Sequence, residues 1–480
     1  MNTQSTQDSI PDRKVPLPLA LLPLLFMAGL LGVGYGVYKI KPQVLLVVAA
    51  FFTGLLALLL RFNWKEMERG IVDSIHKAMP AILIMLTVGI LIGAWISCGT
   101  IPLVIYYGLK IISPQFFLVT ACIVCTLTAM ATGTSWGTVG TLGVAFMGIA
   151  MGLGIPVGPA AGAVVAGSYM GDKMSPLSDI PNLATVVSGV NLFDHIKHMM
   201  WSAVPAWLIG LAVYGLVGLG YGRGGVSSET VNLITSTLHR EFLDRSPWLN
   251  LLLLLPMAIV FFFAVAKKPT IPAMLLSSAV AAVLALVLQK TPLTEFAVAV
   301  NSGYRAHTGV EMVDKLLSRG GMMSMMETQL VAFTAFSFGG IMQSTGMLRV
   351  ILNSIMGLCR RVWSLVLTTV ATAIVSALVT GSSYLSMIIP AELLAPAFKE
   401  KGLAAKNMSR IIEESGGIIV PLIPWSMAGV YITGTIGVPT LSYLPWAIMN
   451  YASVAILILF GATGFTMAAR KREDETQAGS

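Results

Sequence analysis

Twelve consecutive residues in this chain set more ionisable and hydroxyl groups together than any comparable stretch in its apolar parts: Gly171-Asp172-Lys173-Met174-Ser175-Pro176-Leu177-Ser178-Asp179-Ile180-Pro181-Asn182. Asp172 follows 61 residues (111–171) without one Asp, Glu, Lys, Arg or His. A carboxylate in such surroundings is costly, and intramembrane carboxylates usually mark ion or proton paths. Asp172 and Asp179 are therefore candidates for holding a proton or a sodium ion in turn, with Ser175, Ser178 and Asn182 as further oxygen donors. If Lys173 neutralises Asp172, Asp179 is the freer carrier. A polar turn between two spans would read similarly.

A second kind of chemistry lies in hydroxyls beside glycines. Thr132-Gly133-Thr134-Ser135-Trp136 and Thr380-Gly381-Ser382-Ser383-Tyr384 both sit in strongly apolar surroundings. A helix broken there can turn back and offer oxygens to a small cation, which is tolerated only where protein or a water-filled cavity surrounds it. Thr134, Ser135, Ser382 and Ser383 are the candidate sodium ligands, together with Asp172 and Asp179. The bland alternative is small-residue helix packing.

These two segments stand 248 positions apart, and the match continues in register. Pro176 and Ser178 pair with Pro424 and Ser426, Thr185 with Thr433, and Gly189-Val190 with Gly437-Val438. Gly93, Ser97 and Gly99 match Gly340, Ser344 and Gly346 one residue out of register. The counterpart of the charged run is Ser415-Gly416-Gly417 to Ser426, uncharged beyond Glu413-Glu414, which adds Glu414 and Ser426 to the candidate ion- and proton-binding residues. Gly/Pro-broken apolar segments at corresponding places in two halves point to the binding site of a secondary transporter.

Elements that could position such groups follow from composition. The 480 residues are 56% hydrophobic and 11% charged, against about 25% charged in soluble proteins. With a span needing roughly 20 apolar residues, the uncharged runs predict an all-α polytopic membrane protein of about 11–12 transmembrane segments in two inverted repeats, with re-entrant hairpins or broken helices. The expected division is an N-terminal tail 1–14, a first repeat 15–222, a connecting loop 223–246, a second repeat 247–469 and a tail 470–480. Basic short loops predict both termini cytoplasmic in a bacterial or archaeal cell membrane. The connector from Asn63 to Met79 reads as an interfacial helix.

Other features carry less. A net charge of +8 spread over short loops does not suggest nucleic acid. Cys122 and Cys125 read as small buried hydrophobes. His195 and His198 share a helical face and read as an interfacial cluster rather than a metal site, and Glu327 and Glu392 as interfacial carboxylates. Gly152, Gly154 and Gly158 lack phosphate-binding spacing. There is no HExxH and no convincing nucleophile and base, so an enzyme is not expected, nor any cofactor. The opening helices of each half would form a fixed scaffold that could pair into a homodimer.

At these residues the chain resembles the NhaC-type Na+/H+ antiporter family: Gly133-Thr134-Ser135-Trp136-Gly137-Thr138, Gly152-Leu153-Gly154-Ile155-Pro156, and Gly171 to Asp179 with Asn182-Leu183-Ala184. Gly99-Thr100-Ile101-Pro102 and Tyr106-Tyr107-Gly108-Leu109 extend the likeness. The resemblance implies a Na+/H+ exchanger with inverted repeats, re-entrant hairpins and elevator-like movement. Some members resemble carriers of small carboxylates or amino acids, such as sodium-lactate/malate-proton exchangers; here the sequence offers no clear buried Arg as a counter-ion. The chain departs from the family pattern at Ile180-Pro181, where small polar residues such as Thr-Thr are expected.

Overall fold

A computed structural model describes residues 15–224, 227–357, 359 and 361–470. The N-terminal tail and the C-terminal tail beyond Arg470 lie outside the described residues. The architecture is helical, and the described residues include nine helices long and apolar enough to cross a membrane, or eleven if each of two bent pairs is one span.

The repeat is visible in the helix ends. Phe117–Thr132 stops at Gly133 and Val362–Thr380 at Gly381, both glycines left-handed with φ of 69° and 63°. Thr134 and Ser382 then cap the helices that follow. Further on, Asp179–Ser188 and Met427–Ile436 have the same length, begin after the N-caps Ser178 and Ser426, and end on the left-handed glycines Gly189 and Gly437. The opening helices Pro42–Leu59 and Thr270–Val287 match in length as well.

Two layers of packing result. Trp64–Cys98 and Met322–Ser344 lie against each other, so close that Gly70 meets the Gly340 carbonyl and Gly89 the Gly321 carbonyl where a Cβ would stand. Trp95 Nε1 donates to Ser277 Oγ at 2.9 Å and Thr100 Oγ1 to the Leu253 carbonyl at 2.6 Å, tying the scaffold of the first half to that of the second. Beside it, Phe117–Thr132 packs along Val157–Lys173, with Gly167 over the Cys122 carbonyl and Gly171 over that of Thr126. Cys122 and Cys125 are buried in this seam as small apolar groups.

Two expectations change. The connector 63–79 is not a separate interfacial helix but the first part of the continuous 35-residue helix Trp64–Cys98, started by a capping box in which Asn63 and Glu66 satisfy each other's backbone N–H. At 1.5 Å per residue that helix is about 50 Å long, so it spans and projects, with Pro80 accommodated inside. The interval 223–246 is largely helical, holding Ser228–Leu238 and a wider turn to Leu243.

Candidate functional site

The repeated hydroxyl motif resolves into three jobs. Thr132 and Thr380 return their hydroxyls to the carbonyls of Thr128 and Ser376, one turn back. The next glycine ends the helix. Thr134 and Ser382 then accept from the N–H groups of Gly137 at 3.1 Å and Leu385 at 3.4 Å, satisfying donors a helix start leaves open. What remains is the first hydroxyl inside the new helix, and here the halves differ. Ser135 Oγ donates to Asp172 Oδ2 at 2.7 Å in a buried contact, whereas the Ser383 hydroxyl has no hydrogen-bond partner among the described residues.

Asp172 sits in the last turn of Val157–Lys173, 5% exposed. Its Oδ1 has no hydrogen-bond partner among the described residues. A helix C-terminus carries partial negative charge, so a carboxylate placed there gains from a bound cation or proton. Ser135, by contrast, stands at a helix start, where the dipole and a hydroxyl donor stabilise the carboxylate from the other side.

Asp179 is exposed and accepts a hydrogen bond from the Tyr384 hydroxyl of the second half. The run from Asp172 to Asp179 is thus gripped at one end by the first signature and at the other by the second. Trp136 completes the crossing by stacking on Tyr431, ring centroids 4.2 Å apart, while the Tyr431 hydroxyl donates to the Trp136 carbonyl at 2.6 Å.

Several sequence-predicted donors hydrogen-bond to the backbone. Ser175 Oγ donates to the Met130 carbonyl at 2.7 Å, Ser178 caps Ile180 N–H at 3.2 Å, and the Asn182 amide donates to the Ser178 and Pro176 carbonyls. Ser426 caps Gly429 N–H at 2.9 Å and donates to the Val420 carbonyl at 2.6 Å. Ile180, at the departure from the family pattern, lies 3.5 Å from where a Gly417 side chain would begin and packs into an apolar cluster.

Lys173 does not neutralise Asp172. Its ammonium pairs with Glu414 Oε1 at 3.0 Å and reaches Ser453 Oγ at 3.2 Å, in a buried ion pair between the halves. His195, expected at an interface, is fully buried: Nδ1 meets Ser409 Oγ at 2.8 Å and Nε2 meets Glu413 Oε2 at 2.7 Å. His198 faces Asn407 Oδ1 at 3.2 Å. Glu413 had no sequence signal beyond its neighbour. Its partner lies 218 residues away. Glu327 and Glu392 are exposed as expected, Glu327 pairing with Lys41.

Arginine is the other correction. Arg410 is fully buried, bonded to Thr466 Oγ1 at 2.9 Å and lying over the Phe460 ring. Arg319 is half-buried in the wall of a cavity of about 710 Å3, lined by none of the sequence-predicted ion ligands.

A model described as the Na+/H+ antiporter family matches residues 167–465, which contain the charged run and nearly all of the second half. The chain belongs to this family. It is 42% identical over 459 residues to an uncharacterised Na+/H+ antiporter of Haemophilus influenzae, covering 94% of this chain and 97% of that one. The Na+/H+ antiporter NhaC of Alkalihalophilus pseudofirmus is 34% identical, again across 94% and 97%. The malate-2H+/Na+-lactate antiporter of Bacillus subtilis is 34% identical across 88% of this chain and 89% of its own length. These relatives match nearly end to end, so the family assignment extends to both repeats of this multi-pass membrane protein.

Proposed function

We propose that the protein exchanges Na+ for H+ across a bacterial or archaeal cell membrane by alternating access, with Asp172 holding either ion. The observation that carries this is the Asp172 carboxylate itself: buried, bonded through one oxygen to Ser135 at a broken helix, and without a partner on the other among the described residues. A group that cannot be protonated and sodium-bound at once couples the two fluxes. Ser135 and the carbonyl ends of the broken helices supply further oxygens, as half-helix termini do in repeat transporters. Asp179, exposed and tied to Tyr384, fits a latch better than a carrier. On this reading Ser383 is the second half's contribution to the ion site.

The same reading keeps both termini cytoplasmic, the side that the basic short loops favour. The exposed apolar faces of the opening helices, with Leu25, Phe51 and Leu59 outward, are left to lipid or to a second copy in a homodimer. The test is a proteoliposome assay of pH change driven by a sodium gradient, run alone and with malate, lactate or amino acids. Sodium-driven proton movement without any organic solute supports the exchange. A strict requirement for one of them would replace it with organic-solute transport.

A further inference from the structure

Four tyrosines of the chain are buried: Tyr169, Tyr214, Tyr431 and Tyr443. Three of them donate their hydroxyls to main-chain carbonyls at 2.6 Å, Tyr214 to Trp446, Tyr431 to Trp136 and Tyr443 to Pro421. Tyr169 does not. Its hydroxyl is buried and has no hydrogen-bond partner among the described residues, although Ser135 and Trp136 lie beside it. Buried polar groups are ordinarily satisfied, so one that is not calls for an explanation.

Its place in the chain supplies one. Tyr169 stands three residues before Asp172 on the helix Val157–Lys173, and side chains three apart share a helix face. Asp172 Oδ1 is likewise buried and without a partner among the described residues. A hydroxyl and a carboxylate oxygen thus stand a turn apart beside Ser135, which holds the other carboxylate oxygen at 2.7 Å, and the two are not bonded to one another. The wall next to them is fixed from the second half, where Tyr431 stacks on the Trp136 ring and binds its carbonyl.

We propose that the Tyr169 hydroxyl is an oxygen ligand of the sodium ion held by Asp172 and sets the preference for Na+ over the smaller Li+. The inference rests on the reading of Asp172 as the ion carrier and adds to it a residue that discriminates between cations. A phenol hydroxyl both donates and accepts, which suits each state of the carboxylate. It lends a lone pair to sodium, accepts from the protonated acid and donates to the bare carboxylate. Being neutral, it leaves the competition between one sodium ion and one proton intact. Selectivity among hard cations follows ligand number and the size of the site. A smaller ion is satisfied by fewer oxygens, so losing this one should weaken Na+ more than Li+.

The experiment reconstitutes the full-length protein in liposomes and measures proton flux against sodium and against lithium concentration for wild type, Tyr169→Phe, Tyr214→Phe and Asp172→Asn. Tyr169→Phe should raise the half-saturating sodium concentration about tenfold or more, as for a lost contact to a charged group, while maximal flux is retained. The rise for lithium should be smaller. Tyr214→Phe removes a hydroxyl already used by the Trp446 carbonyl and should leave both concentrations at their wild-type values. Without sodium, the thermal midpoint of purified Tyr169→Phe should match or exceed that of wild type, because the hydroxyl removed has no partner. The variant should then need about tenfold more sodium for the same rise in midpoint. Exchange lost in Asp172→Asn together with wild-type sodium dependence in Tyr169→Phe would overturn the Tyr169 assignment alone, whereas full exchange in Asp172→Asn would overturn the carrier reading beneath it. Equal weakening of sodium and lithium, a fall in maximal flux alone, a lowered midpoint without sodium, or the same shift in Tyr214→Phe would also overturn the proposal, since each marks a hydroxyl that is only structural.

Discussion

At the scale of single residues, the proposed exchange turns on a difference between two aspartates. Asp172 is buried with one oxygen on Ser135, while Asp179 is exposed and held by Tyr384. Asp172→Asn should therefore bring sodium-dependent proton flux in proteoliposomes down to that of empty vesicles, with normal yield of folded protein. Asp179→Asn should retain exchange. Wild-type flux in Asp172→Asn would remove that residue from the mechanism. Ser135→Ala should leave exchange intact but raise the half-saturating sodium concentration about tenfold, since a hydrogen bond to a charged group contributes roughly 1.5–3 kcal/mol.

At the scale of elements, the broken helices depend on glycines that cannot be replaced equally. Gly133 and Gly381 both need positive φ, which costs a residue with a side chain roughly 1 kcal/mol. The space differs. A Cβ on Gly133 would stand 2.7 Å from the Leu177 carbonyl carbon, against 3.3 Å from Ser426 Cα for Gly381. Gly133→Ala should lower the thermal midpoint of the purified protein more than Gly381→Ala does, because only the first collides with backbone too close to yield. Equal losses would mean that φ strain alone governs both breaks.

At the scale of the whole molecule, the halves are joined by a buried ion pair, and the broken segments of both are expected to move as one unit against the fixed scaffold of opening helices. Lys173→Met leaves Glu414 as an unpaired buried charge, and breaking such a pair costs about 3–5 kcal/mol. The double variant Lys173→Met/Glu414→Leu removes both charges, so its thermal midpoint should recover most of that loss. The segments 120–205 and 365–440 hold the repeated breaks at Gly133/Gly381 and Gly189/Gly437, and the crossing contacts Tyr384 to Asp179 and Trp136 to Tyr431 link them. In a background with Cys359→Ser, Thr134→Cys and Ser382→Cys should change labelling rate together between sodium-loaded and sodium-free protein. Independent changes would count against a single moving unit.

Much of this was legible in the residues themselves. Helix periodicity, long uncharged runs, the glycine stops and the hydroxyl caps are short-range chemistry, written within a few positions of where they act, so the all-α repeat, its breaks and the charged run at 171–182 could be read directly. The identity of each hydroxyl's partner could not. Thr134 and Ser382 also cap helices, Asn63 to Met79 looks separate but continues into a span, and Lys173 finds Glu414 rather than its neighbour because the second half brings that carboxylate to it from 241 residues away. Burial of His195 and Arg410 and the position of Arg319 in a cavity wall arise in the same manner. The reason is physical: local turn chemistry is fixed by adjacent atoms, whereas which charge is paired, buried or left facing water depends on elements that only packing brings together.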